Sequence, residues 1–182
     1  MKEIRLHGRG GMGAATGAEM LSACFVFDGK YAASFPMYGA SRRGAPITAF
    51  CRFDEIPVEA KTQIYTPDCL IIFDPLMKNM PQVYDGLKPG SIVVLNTPES
   101  PVKRPHENIK FLGTVDATKI AHEEIGIPAT NTCMLGAFAA TTQWVSLAAI
   151  LLALEDYFMA DALVRNIRCA ERAFKGTSIA EF

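Results

Sequence analysis

The chain has 182 residues, of which 49% are hydrophobic and 20% charged, and its formal net charge is -1 at pH 7. This length is most simply one domain, covering residues 1–182, and the balanced charge excludes proteins that bind nucleic acid through a basic surface. The longest apolar stretch, residues 144–154, is much shorter than the roughly 20 residues of a bilayer span, and residues 1–5 carry no apolar signal. We therefore expect a cytoplasmic protein that contacts no membrane.

The first third of the chain predicts a strand, a glycine loop and a helix. Ile4 and Leu6 point to one side of a strand over residues 2–7. From residue 14 to 27 apolar residues recur at helical spacing, and Asp28-Gly29 ends the helix because glycine adopts the left-handed cap conformation readily. A short strand over 30–33 and a stronger one over 47–53 follow.

Two continuous apolar runs, residues 69–73 and 92–95, indicate central strands that are covered on both faces. Residues 76–84 between them suggest a short helix, and the proline-rich stretch 97–108 a surface excursion before a strand over 109–112. Helices are expected over 118–125, 131–142, 146–158 and 161–174. This order predicts an α/β fold: a three-layer α/β/α, Rossmann-like, mostly parallel sheet with a helical C-terminal part.

The cysteines predict no site of their own. No two of them have the C-x-x-C spacing of a zinc or iron–sulfur site, and an odd number argues against a disulfide framework. We expect five buried free thiols, at Cys24, Cys51, Cys69, Cys133 and Cys169.

The glycine loop after the first strand satisfies two phosphate-binding patterns incompletely. Its spacing fits a Walker A loop, but Ala14-Ala15-Thr16 stands where lysine and a hydroxyl residue belong, so nucleotide triphosphatase activity is not expected. It also fits G-x-G-x-x-G, but residues 34–36 lack the acidic residue that grips a ribose in dinucleotide-binding folds. The glycines of the loop are Gly8, Gly10, Gly11 and Gly13.

Arginines add positive charge to the same end of the predicted sheet. Arg9 lies in the glycine loop, and Arg42 and Arg43 lie in a second loop between Tyr38-Gly39 and Gly44-Ala45-Pro46. Because guanidinium pairs with phosphate in a bidentate way, the two loops predict one site for a ligand with several phosphates, such as coenzyme A. The alternative is that the arginines pair with a partner subunit's carboxylates and the glycines only permit close packing.

Three motifs carry a resemblance to a known family. They are Gly8-Arg9-Gly10-Gly11-Met12-Gly13-Ala14, Phe35-Pro36-x-Tyr38-Gly39-x-x-Arg42-x-Gly44-Ala45-Pro46 and Asn131-Thr132-x-Met134-Leu135-Gly136-Ala137. Together, and in this order, they resemble the gamma subunit of pyruvate and related 2-oxoacid:ferredoxin oxidoreductases. The family usually has glutamine where this chain has Met12, which removes one polar contact and leaves the backbone of the loop intact.

The resemblance implies a non-catalytic subunit of a complex that converts a 2-oxoacid, most simply pyruvate, and coenzyme A into an acyl-CoA and CO2 while reducing ferredoxin. It implies thiamine diphosphate, Mg2+ and 4Fe–4S clusters on alpha, beta and ferredoxin-like delta subunits. It assigns the coenzyme A contacts to Arg42 and Arg43, with the loop from Gly8 to Gly13 lining the same cleft. Asn131, Met134 and Gly136 are given no role beyond packing or subunit contact.

Other interpretations stay open from the sequence. The chain could be a stand-alone, Rossmann-like dinucleotide-binding oxidoreductase, or a scaffold that touches no ligand. His7 could donate to a phosphate, although a strand-end residue bonded to backbone is favoured, and Asp74 is expected to cap the helix that follows it. The sequence leaves the identity of the 2-oxoacid open.

Overall fold

The protein is described by a computed structural model, which covers residues 1–37, 44–60, 62–99 and 103–182. Its seven strands are β1 Lys2–Arg9, β2 Tyr31–Met37, β3 Pro46–Asp54, β4 Cys69–Ile72, β5 Ser91–Asn96, β6 Ile109–Val115 and β7 Ser178–Glu181. Its five α-helices are α1 Ala14–Phe27, α2 Ala117–Glu124, α3 Asn131–Thr142, α4 Leu147–Leu154 and α5 Ala160–Gly176. Two 3-10 helices span Pro75–Asn79 and Pro81–Tyr84.

The strands form one sheet in the order β2-β3-β1-β4-β5-β6-β7. The central neighbours β1, β4, β5 and β6 are parallel, whereas β3 and β7 run antiparallel to their neighbours. The predicted α/β fold with its mostly parallel sheet is confirmed.

The sheet is covered on both faces, as the apolar runs in β4 and β5 predicted. Phe25, Phe73 and Phe138 are the largest fully buried side chains of the core between the sheet and the α-helices. Leu70 and Ile72 point to the opposite face, into a smaller core that the 3-10 helices cover. Alternate residues of β4 therefore contribute to different cores, which a strand buried on both faces requires.

Two predicted helices differ from the structure. The helix expected over 76–84 is wrong: the segment forms two 3-10 helices, because Pro81 has no N–H to continue a helix and restricts the residue before it. The helix expected over 146–158 ends at Leu154.

The sheet is also larger than predicted. β2 continues to Met37 through Pro36, which an edge strand tolerates. After α5 the chain adds β7 along β6, with Gly113 opposite Ile179. Four residues are too few to show strand periodicity, so this strand is set by its pairing partner.

All five cysteines are free and buried, as predicted. Burial raises the pKa of the Cys24 thiol to about 12 and raises that of Cys51 as well. Within the described ranges, no helix has both the length and the apolar character that crossing a bilayer demands.

Candidate functional site

The glycine loop connects β1 to α1 through left-handed backbone. Gly11 has a φ of +92° and Gly13 a φ of +85°, where side chains other than hydrogen are strained. Gly13 is the N-cap of α1, and its carbonyl accepts the bond from Gly17 N at 2.6 Å. The N–H groups of residues 14–16 therefore have no partner within the helix and form its positive end. Such a helix start, after a glycine-rich loop, favours binding of an anion.

The glycines of this loop serve different purposes. A Cβ added to Gly8 would lie 3.0 Å from Ala14 Cβ, so Gly8 lets the helix pack closely on β1, as the alternative interpretation expected. Gly10 donates its N–H to Ala45 O at 3.0 Å. Among the described residues, none would come within 4 Å of a Cβ added to Gly11. In this part of the chain a ligand has room to approach the backbone of the loop at Gly11.

The bond from Gly10 to Ala45 joins the glycine loop to the flank of the second predicted loop. Arg9 pairs with Pro46 across β1 and β3, and Met37 pairs with Thr48 across β2 and β3. The residues on both sides of 38–43 therefore lie at the same end of the strands as the glycine loop, which follows β1. Arg42 and Arg43 lie outside the described residues.

Arg9 is paired within the chain. Its Nε donates to Asp74 Oδ2, and the carboxylate is buried whereas the arginine side chain stays 40% exposed. Asp74 Oδ1 accepts from Leu76 N at 2.9 Å, which confirms its predicted role as the cap of the next helical segment. The ion pair, which the sequence did not predict, anchors the glycine loop to the end of β4.

A second helix begins at the glycine loop. A Cβ added to Gly13 would lie 3.2 Å from Asn131 Cβ, so the first residue of α3 packs on the N-cap of α1. Asn131 Oδ1 accepts from Thr132 N at 3.1 Å. Two helix N-termini therefore meet here, and together they strengthen the positive potential. Asn131 was expected only to pack or to contact a subunit, although asparagine before an apolar run is typical of a helix start.

His7 is bonded differently from the expectation. Its ring Nε2 accepts from Arg5 Nε at 2.9 Å, so the side chain binds another side chain and not backbone. Burial, and then the positive charge of Arg5, lower the pKa of His7 to about 3. Since the imidazole is neutral near pH 7 and bonded to Arg5, it supplies no positive charge to an anion.

The order of the strands bears on the dinucleotide alternative. In dinucleotide-binding folds the second strand lies beside the first and ends in the residue that grips the ribose. Here the antiparallel strand β3 lies between β1 and β2. The end of β2 is therefore one strand further from the glycine loop, which argues against a dinucleotide in this position.

Sequence and structure comparisons agree on the kind of protein. The family model described as pyruvate ferredoxin/flavodoxin oxidoreductase matches residues 3–176. The common subunit gamma of the pyruvate/ketoisovalerate oxidoreductases of Pyrococcus abyssi is 44% identical, with 100% of both chains covered.

Two solved structures are also similar to this chain. Pyruvate oxidoreductase subunit PORC of Thermotoga maritima has a TM-score of 0.86 at 33% identity, and the match covers 99% of this chain and 98% of that one. The 2-oxoglutarate:ferredoxin oxidoreductase of Magnetococcus marinus has a TM-score of 0.74 at 20% identity, covering 96% of this chain and 31% of the other. The latter likeness is one of fold.

Proposed function

The chain belongs to the pyruvate ferredoxin/flavodoxin oxidoreductase family as a gamma-type subunit, and from this premise we propose that it binds coenzyme A within a 2-oxoacid:ferredoxin oxidoreductase. The complex would join a 2-oxoacid, most simply pyruvate, to coenzyme A, release CO2 and reduce ferredoxin. In this proposal the chain catalyses no step itself. It holds the phosphates of coenzyme A and contributes to assembly.

One observation carries the proposal: the N-termini of α1 and α3 meet at the glycine loop. The N–H groups of the first turn of α1 have no acceptor within the helix and suit phosphate oxygens, and no described residue fills the space beside Gly11 through which a ligand would approach. The hydrogen bond from Gly10 N to Ala45 O brings Ala45, which follows the loop of Arg42 and Arg43 in the sequence, to the same end of the sheet. These residues fit a ligand with several phosphates better than a neutral one. The Magnetococcus protein, solved with coenzyme A and succinyl-CoA bound, is consistent with this ligand.

The redox chemistry belongs to other chains in this account. Oxidative decarboxylation needs an electron sink and electron carriers that side chains cannot supply. We assign thiamine diphosphate, Mg2+ and the 4Fe–4S clusters to the alpha, beta and ferredoxin-like delta subunits, with ferredoxin as the acceptor. In the described ranges no group of three His, Cys, Asp or Glu side chains could hold a metal ion.

In this proposal the partner chains also determine which 2-oxoacid is bound as the substrate. The Pyrococcus abyssi relative is the common subunit gamma of pyruvate/ketoisovalerate oxidoreductases, so one gamma subunit is shared by these oxidoreductases there. We therefore propose pyruvate as the substrate without assigning its pocket to this chain. The cytoplasmic location stays a prediction.

Reconstitution tests this function. The chain is co-expressed with its partner subunits, and the purified complex is assayed for reduction of a viologen dye by a panel of 2-oxoacids with and without coenzyme A. We expect coenzyme A-dependent reduction that requires this chain. Equal activity from partner subunits purified without it would overturn the proposal. A thermal shift of the isolated chain with a nicotinamide dinucleotide, and none with coenzyme A, would support the dinucleotide alternative instead.

A further inference from the structure

Helix α4 is apolar at every position, including those that face outward. Its residues 147–154 are leucine, alanine and isoleucine only. Ala149, Ile150, Ala153 and Leu154 face the core, whereas Leu152 is 49% exposed on the other side. A surface helix normally has a polar outer face, and a helix that is apolar all round is normally covered on all sides. The outer side of α4 therefore has the composition of a buried surface.

The neighbours of α4 extend this apolar surface. Asp28, just past α1, accepts from Ser146 Oγ at 2.7 Å, so the end of α1 lies at the start of α4. Val26 and Phe27 at that end of α1 are 57% and 45% exposed, and Met159 beyond the other end of α4 is 81% exposed. We call these residues the α4 face: Val26, Phe27, Leu152 and Met159. A single exposed apolar residue is ordinary, but exposed apolar residues on α4 and beyond both of its ends indicate an interaction surface.

One end of the α4 face is acidic. Glu19 and Asp156 lie close enough to Tyr157 for their charges to raise the pKa of its hydroxyl, after the larger effect of burial. Glu155 adjoins them at the end of α4. None of these three carboxylates forms an ion pair with another residue in the described ranges, whereas Arg165 on α5 is already paired with Asp161. A partner with lysine or arginine here would compensate the three negative charges.

We propose that the α4 face docks another subunit of the same oxidoreductase, through a surface with an apolar centre and basic residues opposite Glu155 and Asp156. The inference rests on the proposed assembly and adds the surface and the partner's chemistry. A second copy of this chain fits less well, because its own α4 face supplies the same unpaired carboxylates.

The test is Leu152→Glu, co-expressed with the partner subunits. Because Leu152 is already half exposed, the isolated variant should keep the circular dichroism spectrum and melting temperature of the wild type. The yield of partner subunits that co-purify with it should fall at least roughly tenfold, since the variant places a charge in a desolvated apolar contact. Ile56→Glu is the matched control: Ile56 is 66% exposed in the turn after β3, and its variant should assemble like the wild type.

A second variant tests the charge of the partner. Glu155→Lys with Asp156→Lys should weaken assembly most at low salt, because attraction becomes repulsion, and added salt should restore part of it. Normal assembly of Leu152→Glu would overturn the docking surface. The docking surface would also be overturned if the wild-type chain alone formed a dimer that Leu152→Glu abolishes, while Leu152→Glu left assembly with the partner subunits unchanged. A wild-type chain that assembles with no partner would overturn the proposed function together with the docking surface.

Discussion

Gly13 packs directly against Asn131, so the N-cap of α1 and the first residue of α3 share one contact at the glycine loop. A Cβ added to Gly13 would lie 3.2 Å from Asn131 Cβ, and the residue has a φ of +85°. We expect Gly13→Ala to destabilise the chain by about 1–2 kcal/mol through backbone strain and to raise the KM for coenzyme A in the assembled complex.

Gly29→Ala is the matched control for this substitution. Gly29 has a φ of +81°, but a Cβ there would have no described residue within 4 Å. It should lose similar stability in urea unfolding and leave the KM unchanged. Equal KM values for both variants would show that the contact between Gly13 and Asn131 does not shape the site.

Asp74 should hold the glycine loop to the sheet. Its carboxylate accepts from Arg9 Nε and from Leu76 N, and it is buried. Asp74→Ala removes both bonds, and we expect a loss of about 1–3 kcal/mol in the free energy of unfolding. Asp161→Ala, which breaks the exposed pair with Arg165, should show no measurable loss. If the two variants unfold alike, the ion pair at Arg9 contributes nothing special.

The lowered pKa of His7 should make the free energy of unfolding depend on pH. Its pKa is about 3 in the folded chain and near 6.5 in the unfolded one, so only the unfolded chain binds a proton between these values. The contribution of the neutral ring is complete above about pH 6.5 and is lost progressively as the pH falls toward 3. At pH 5 the loss should be about 2 kcal/mol relative to pH 7.

Urea unfolding at pH 7 and pH 5 measures this loss. His7→Gln keeps an acceptor for Arg5 and should lose about 2 kcal/mol less than the wild type between the two values. His122→Gln, on the exposed side of α2, should behave like the wild type. A loss that His7→Gln does not reduce would mean that other groups cause the acid sensitivity.

Gly136 sets the distance between α3 and α5. A Cβ on Gly136 would lie 2.1 Å from Ala170 O, so Gly136→Ala forces the helices apart. We expect a cost of about 2–3 kcal/mol or more, measured by chemical unfolding. Gly176→Ala places a Cβ where no residue of the described ranges lies within 4 Å, and it should cost nothing comparable. Retained stability in Gly136→Ala would contradict the packing role that the structure gives to this third motif.

Local patterns made much of the fold predictable. The bounds of α1 followed from apolar spacing and the Asp28-Gly29 stop, which act within a few residues. β7 and the 3-10 helices did not follow, because a four-residue strand needs its partner and Pro81 interrupts a segment that otherwise looks helical. A helix or strand is therefore predicted best from the sequence when the residues that determine it lie within or next to it.

The candidate site also combines features that the local sequence predicts with contacts that it does not predict. The left-handed turns at Gly11 and Gly13 are backbone requirements that the residue type reveals. The ion pair between Arg9 and Asp74 joins residues 65 positions apart, and no local spacing encodes it. The contact of Asn131 with Gly13 likewise depends on how α3 packs. The expectation that the ligand is coenzyme A came from the resemblance to the family. Residue spacing alone predicted only a site for an anion.

The most direct test of the account is the KM for coenzyme A of the assembled complex carrying Arg42→Ala and Arg43→Ala. If these arginines bind the phosphates, the KM should rise roughly tenfold or more, since each charged hydrogen bond contributes about 1.5–3 kcal/mol, while thiamine diphosphate binding stays unchanged. The control Arg165→Ala with Arg168→Ala, on the exposed side of α5, should leave the KM as it is. An unchanged KM in the Arg42 and Arg43 variant would contradict the coenzyme A contacts assigned to this chain.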